Sequence, residues 1–116
     1  MKSIYRCTIL FFIALLFCDG TYAAEKKRGI WVTRWNYRTQ DDIVQIMKNA
    51  RSIGASDVLF QVRGEATVFY PSKIEPWAWE LSGSSPDAIG VDPGWDPLGF
   101  ALKEATKNQL HLHAWI

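Results

Sequence analysis

Between Arg28 and Ile116 the apolar pattern switches repeatedly between period two and period 3.6. "RGIWVTRW" is dense in β-branched and aromatic residues behind a charged lead-in, and reads as a first strand. "TQDDIVQIMKNARSIG" has helical spacing. Thr39 stands at the N-cap, Asp41 and Asp42 in the first turn, Ile43, Ile46, Met47, Ala50 and Ile53 on the apolar stripe, and Gly54 at the close. "DVLFQVR" returns to alternation as a second strand. A loop then runs from Gly64 to about Gly94, holding Pro71, Pro76, Pro86 and Pro93 with Trp77, Trp79 and Trp95; structureless loops of that length are usually functional. "DPLGFALKEATKNQL" predicts a second helix, capped by Asp96, with Pro97 at its first position and Leu98, Ala101, Leu102 and Ala105 buried. "LHLHAWI" is the third strand.

The order β-α-β-α-β suits right-handed crossovers in a parallel sheet. Both the doubly wound sheet and the eight-stranded barrel begin this way. The first strand-to-helix turn, "RWNYRTQ", has no glycine-rich phosphate cradle, which disfavours a dinucleotide-binding sheet. In a barrel, one set of alternate residues meets the helices and the other fills the interior, turning polar toward the C-terminal mouth. Ile30, Val32, Val58, Phe60, Val62, Leu112 and Ala114 form the outward set. Trp31, Thr33, Trp35, Leu59, Gln61, Arg63, His111, His113 and Trp115 form the inward set, expected to converge on one mouth. The expected fold class is therefore α/β: the N-terminal three β/α units of a TIM-type (β/α)8 barrel, truncated, because a closed barrel needs eight strands and about 250 residues.

Composition and charge refine this picture at the amino terminus. Lys2 and Arg6, the apolar run "TILFFIALLFC" and small residues at Thr21 and Ala23 predict a signal peptide over residues 1–23, leaving 24–116 as the incomplete barrel domain. The apolar run is short for the roughly 20 residues of a spanning helix. A lipoprotein is disfavoured because bulky Phe17 precedes Cys18. The expected location is periplasmic or extracellular, with the membrane involved only through the export signal. Cleavage would remove both cysteines, Cys7 and Cys18, and with them any disulfide, thiolate metal site or cysteine nucleophile. It would also remove Lys2, Arg6 and Asp19, leaving eleven basic and eleven acidic residues. No basic stripe calls for nucleic acid.

"VLFQVRGEATVFYPSKIEPWAWELSG" and "DPGWDPLGFALKEATKNQLHLHAWI" together resemble the glycosyl-hydrolase-like family 10 domain of bacterial envelope proteins, and "RGIWVTRWNY" is similar to its first barrel strand. The resemblance implies an exported β/α-barrel glycoside hydrolase acting on O-glycosyl bonds of a polysaccharide, cell-wall glycan included, with no cofactor and with its acidic pair on later strands beyond Ile116. One position departs from the family: "KNQL" replaces the glycine that ends the second helix, so Asn108 or Gln109 must take the left-handed cap.

Glycoside hydrolysis typically uses two carboxyl groups, and Glu65 and Glu75 are the only ones expected near the mouth. A solvated loop glutamate is the default for Glu65; a hydrogen bond pinning the loop is the expectation for Glu75. Arg63 ends a strand on the inward face, where a guanidinium can hold a carboxylate ionised or grip sugar hydroxyls. His111 and His113 could share a zinc, as in metal-dependent amidohydrolase-like barrels, but those carry the pair on the first strand, and no further ligand cluster is visible. Indole faces suit the apolar faces of sugars. The candidate substrate-binding set is Arg63, His113, Trp115, Trp35, Trp77 and Tyr70, with no metal ligand. A carbohydrate-binding barrel without catalytic acids is the alternative to the hydrolase.

Overall fold

The computed structural model describes residues 26–116, so the expected signal peptide lies outside the described residues. Three strands, β1 (Gly29–Val32), β2 (Asp57–Gln61) and β5 (His111–Trp115), form a parallel sheet in the order β1-β2-β5. Helix α1 (Gln40–Ser52) connects β1 to β2, and α2 (Pro97–Lys107) leads into β5. Between β2 and α2 the chain makes a small antiparallel hairpin of β3 (Arg63–Gly64) and β4 (Thr67–Val68), followed by short 3-10 turns at Trp79–Leu81 and Pro86–Ala88.

The helices start where local chemistry dictates. The Thr39 side chain accepts from the Asp42 amide, and Asp42 accepts in return from the amides of Arg38 and Thr39 at 2.9 Å. Asp96 accepts from the Gly99 amide at 3.0 Å, with Pro97 at the first helical position. Gly54 closes α1 at φ +77°, and Gln109, at φ 56°, takes the left-handed position after α2. Asn108 instead returns its side chain to the Glu104 carbonyl.

One face of the sheet is the core. Val32, Val58, Phe60 and Val62 pack with Ile43, Met47 and Ala50 of α1, Ala101 and Ala105 of α2, and Leu110. Tyr37 joins them, stacked on Phe60 at 4.4 Å between centroids and edge-on to Phe69 at 5.4 Å. Each large apolar side chain buried this way contributes about 1.5–3 kcal/mol. The opposite face is open. Its rows are set by register: Gly29, Asp57 and His111; Trp31, Leu59 and His113; then Gln61 and Trp115.

The sequence expectations need correction at several places. The described residues carry two strand–helix units and a third strand, where three β/α units were expected. The first strand ends at Val32, because Thr33 and Asn36 close a turn: the Thr33 amide donates to Asn36 Oδ1 at 2.7 Å and the Asn36 amide to the Thr33 carbonyl at 3.0 Å. The 64–94 segment is ordered by backbone pairing, with Val68 donating to Pro76, Ala78 to Val68 and Gly90 to Trp77. Leu102 and Ile53, assigned to buried stripes, are 54% and 63% exposed. Their helices turn other residues to the core. Ala114, expected to meet a helix, is also exposed.

The N-terminal cap of α1 makes the fold sensitive to acid. Backbone amide bonds from Arg38, then the Thr39 hydroxyl and amide, hold the Asp42 carboxyl below its ordinary value of 3.8. Because the folded value is depressed, this stabilisation is present above pH 3.8 and disappears as pH falls through the folded value. Asp42→Asn should flatten the unfolding free energy against pH in that acid window, and Thr39→Ala should cost about 1 kcal/mol at neutral pH. Urea titrations between pH 2.5 and 7 would check both.

Candidate functional site

Two arginine centres stand at the carboxyl end of the sheet. The turn that ends β1 points Arg34 inward, and its amide donates to Gln61 Oε1 at 3.0 Å. Gln61 holds the junction together: its Nε2 donates to the Arg63 carbonyl at 3.2 Å and its own carbonyl accepts from the Tyr37 hydroxyl at 2.7 Å. Burial, then the Glu80 carboxylate, pushes the Tyr37 phenol far up, so it remains a donor. The Arg34 guanidinium is 5% exposed as a residue and faces two carboxylates. Its Nη2 is 2.8 Å from Glu65 Oε2, while its Nε is 3.7 Å from Oε1 of Glu80. The second distance is within ion-pair range but too long for a hydrogen bond. Glu80 is 2% exposed, and neither of its carboxylate oxygens has a hydrogen-bond partner.

Two backbone features make room for this arrangement. A Cβ on Gly64 would come within 2.7 Å of the Arg34 guanidinium, so a side chain there would push it aside. Glu65 and Ala66 form the two-residue loop between β3 and β4 with φ at 51° and 57°. Hairpins that need positive φ at both central residues usually use Asn and Gly. Here the strain falls on residues with side chains, one of which is held by Arg34.

The second centre joins β3 to the loop beyond it. Arg63 Nε is 2.9 Å from both Glu75 oxygens and Nη2 is 2.6 Å from Oε1, a forked pair. The Glu75 amide donates to the Ser72 hydroxyl at 3.1 Å, which fixes the loop around the carboxylate. Hydrogen bonding from Arg63 holds the Glu75 carboxyl below its usual range, and Glu75 raises the Arg63 guanidinium in turn. Glu75 is therefore ionised at neutral pH and serves as an acceptor rather than a proton donor.

The candidate residues divide among separate places. Arg63 belongs to the second centre, while Tyr70 is partly buried against the hydrophobic core. Trp77 lines a cleft of about 450 Å³ with Pro71, Ser72, Asp92, Gly94 and Trp95. Trp35 lies outside β1, with its ring under the Arg34 guanidinium at 4.3 Å and 6.2 Å from Trp79. Trp115 is at the carboxyl end of β5, edge-on to Trp31 at 4.9 Å. His113 departs furthest from expectation. Placed near the mouth by sequence reasoning, it turns the other way, and its Nε2 meets Oδ1 of Asp57, the first residue of β2, at 2.8 Å. His111 stands 3.8 Å from the same oxygen. Ser56 first, then His113, holds the Asp57 carboxyl below its usual range. Among the described residues no group of three or more His, Cys, Asp or Glu is arranged to hold a metal ion. The inward set thus points to both ends of the sheet, because Asp57, polar and at the base of β2, draws the imidazoles toward itself.

Sequence reasoning missed Arg34 and Glu80, and gave Gln61 an inward position without its role in joining Arg34, Tyr37 and Arg63. Their roles depend on contacts between distant segments, and only the polar ending of β2 at Gln61 gave a local signal. Arg34→Met should destabilise the protein by about 3–5 kcal/mol, because it leaves Glu80 charged and buried without a partner. Arg34→Met combined with Glu80→Met should recover most of that loss, and denaturant unfolding of both single variants and the double variant would measure the coupling.

Comparison with known proteins agrees with this architecture. The family model described as glycosyl hydrolase-like 10 matches residues 26–116. Glycosyl hydrolase YngK of Bacillus subtilis is 28% identical, aligned over 98% of this chain and 25% of its own length. Glycosyl hydrolase DigH of Escherichia coli K12 is 38% identical over 66% of this chain and 16% of its own length. The chain thus spans about a quarter or less of these curated relatives. With its parallel α/β sheet and a family match across all the described residues, the chain belongs to the glycosyl hydrolase-like 10 family.

Proposed function

We propose that this chain is the amino-terminal part of an exported glycoside hydrolase that cleaves O-glycosyl bonds of a polysaccharide, with bacterial cell-wall glycan as substrate. The observation that carries the reading is the forked Arg63–Glu75 pair at the carboxyl end of a parallel sheet, beside the Trp77 cleft. This is the end of a β/α barrel where substrates are bound. The names of the family and its relatives supply the carbohydrate class.

In this reading residues 1–23 are a cleaved signal peptide, the protein works in the periplasm or outside the cell, and 24–116 opens a barrel that further strands close over the exposed Trp31 face. Arg63, Tyr70, Trp77, Trp35 and Trp115 orient the sugar chain. His113, bonded to Asp57 at the other end, has no part in substrate binding. Glu75 is ionised by Arg63, so the proton donor and the nucleophile or base come from carboxylates on strands after Ile116. Those residues act on the anomeric carbon, and the described residues fix the sugar in register with them.

Two measurements test the proposal on the full-length protein. Incubation with purified cell-wall sacculi should release soluble fragments with new reducing ends, and EDTA should leave the rate unchanged. Glycan binding without new reducing ends would point instead to a non-catalytic binding protein, and EDTA-sensitive turnover to a metal-dependent hydrolase. Arg63→Lys should lower kcat/KM by about tenfold or more, because an ammonium cannot make the forked contact with Glu75.

A further inference from the structure

The amino end of the sheet, opposite the two arginine centres, holds a separate concentration of positive charge. A cavity of about 340 Å³ opens there between the lead-in to β1 and the turns after both helices, lined by Lys26, Lys27, Arg51, Ser56, Gln109 and His111. Gly54 completes the wall, and the Arg28 guanidinium lies 3.6 Å from where a Cβ on that glycine would stand. No carboxylate lines the cavity, and among the described residues none pairs with Lys26, Lys27 or Arg51. Asp57, next to Ser56 in the chain, is engaged by the Ser56 hydroxyl at 2.5 Å and by His113 at 2.8 Å. Arg51 lies in the last turn of α1, where a cation suits the helix dipole. That does not account for Lys26 and Lys27, which belong to neither helix. The closing carbonyls of α1 are also already taken: Asn49 by the Ile53 amide, Ala50 by Ala55 and Arg51 by Gly54. Gln109 adds an independent observation. It holds φ 56°, a conformation that glycine takes freely, and its side chain reaches across to accept from Arg51 Nη2 at 3.0 Å. The contact fixes the guanidinium at the cavity and leaves the Gln109 amide nitrogen and the other guanidinium N–H groups as donors.

We infer that this cavity binds a phosphomonoester, with Arg51, Lys26 and Lys27 as its cationic contacts and Gln109 as a neutral donor that also braces Arg51. A dianion offsets the mutual repulsion of three clustered cations, where a single carboxylate would leave more of it unbalanced. A guanidinium also matches two phosphate oxygens at once. The volume is at the lower end of the range of small-molecule sites, about 300–1,000 Å³, and leaves room for a small organic group on the phosphate. The same chemistry is presented by a free phosphoester and by a lipid headgroup. The site stands at the other end of the sheet from Arg63 and the Trp77 cleft, so it takes no part in bond cleavage. It is independent of the carbohydrate reading above.

The test uses the full-length protein in titration calorimetry with glycerol 3-phosphate, and in flotation with phosphatidylcholine vesicles containing or lacking phosphatidic acid. The wild type should bind the soluble ester with a Kd of about 1 mM or tighter, or float only with the vesicles that contain phosphatidic acid. Arg51→Gln and Gln109→Gly should each weaken that binding by about tenfold or more. Glycine relieves the positive φ, so Gln109→Gly should keep or raise the melting temperature, which separates lost affinity from lost folding. Lys103→Gln, the same change of charge in a separate cavity beside Asp96, should leave binding unchanged. Binding of the soluble ester without flotation places the phosphate on a free molecule; flotation without it places the phosphate on a lipid, and both together mean that the site takes either. The site is overturned if the wild type shows neither, if either Arg51→Gln or Gln109→Gly binds as the wild type does, or if Lys103→Gln weakens binding equally.

Discussion

The carboxyl end of this sheet is organised around a buried positive charge. Taking a guanidinium out of water costs several kcal/mol, which only close carboxylates and hydrogen bonds can offset. Arg34 obtains them from segments far apart in the chain: Glu65 on a hairpin, Glu80 on a 3-10 turn and, at its backbone, Gln61 at the end of β2. Folding the loop after β2 is thereby coupled to the end of β1. The bare α-carbon of Gly64 and the strained turn at Glu65 and Ala66 both follow from bringing the hairpin against that charge.

The same logic explains why the long loop is ordered without long elements of its own. The Arg63–Glu75 fork closes one part of it, and backbone bonds from Val68, Ala78 and Gly90 close the rest. Apolar burial fixes the position of the sheet, while ion pairs fix the loops above it. The charged groups are thereby held in fixed places, with Arg63 and Glu75 partly exposed and Arg34 and Glu80 buried.

The inner face of the sheet has the opposite character. Trp31 of β1 and His111 and His113 of β5 stand exposed on it, with Asp57 and the two imidazoles grouped at one end and Trp115 at the other. The polarity of this face does not simply increase toward the carboxyl end. A carboxylate at the base of β2 attracts both histidines, which share its face of the sheet through the parallel register.

The strand and helix order was legible in the sequence because periodicity and capping are local. Thr39 with Asp42, Asp96 with Pro97, and the alternation of Val58, Phe60 and Val62 each act within a few residues, and the family resemblance lay in contiguous motifs. The early end of β1, the exposure of Leu102 and the direction of His113 were not legible, since each depends on a neighbour supplied by another segment. The sequence by itself determined the class of fold and the family, and it put Arg63 at the end of a strand. Only the tertiary structure decided that Arg34 and Glu80 are buried together and which aromatic rings share a place, because burial and charge pairing are properties of segments brought together by folding.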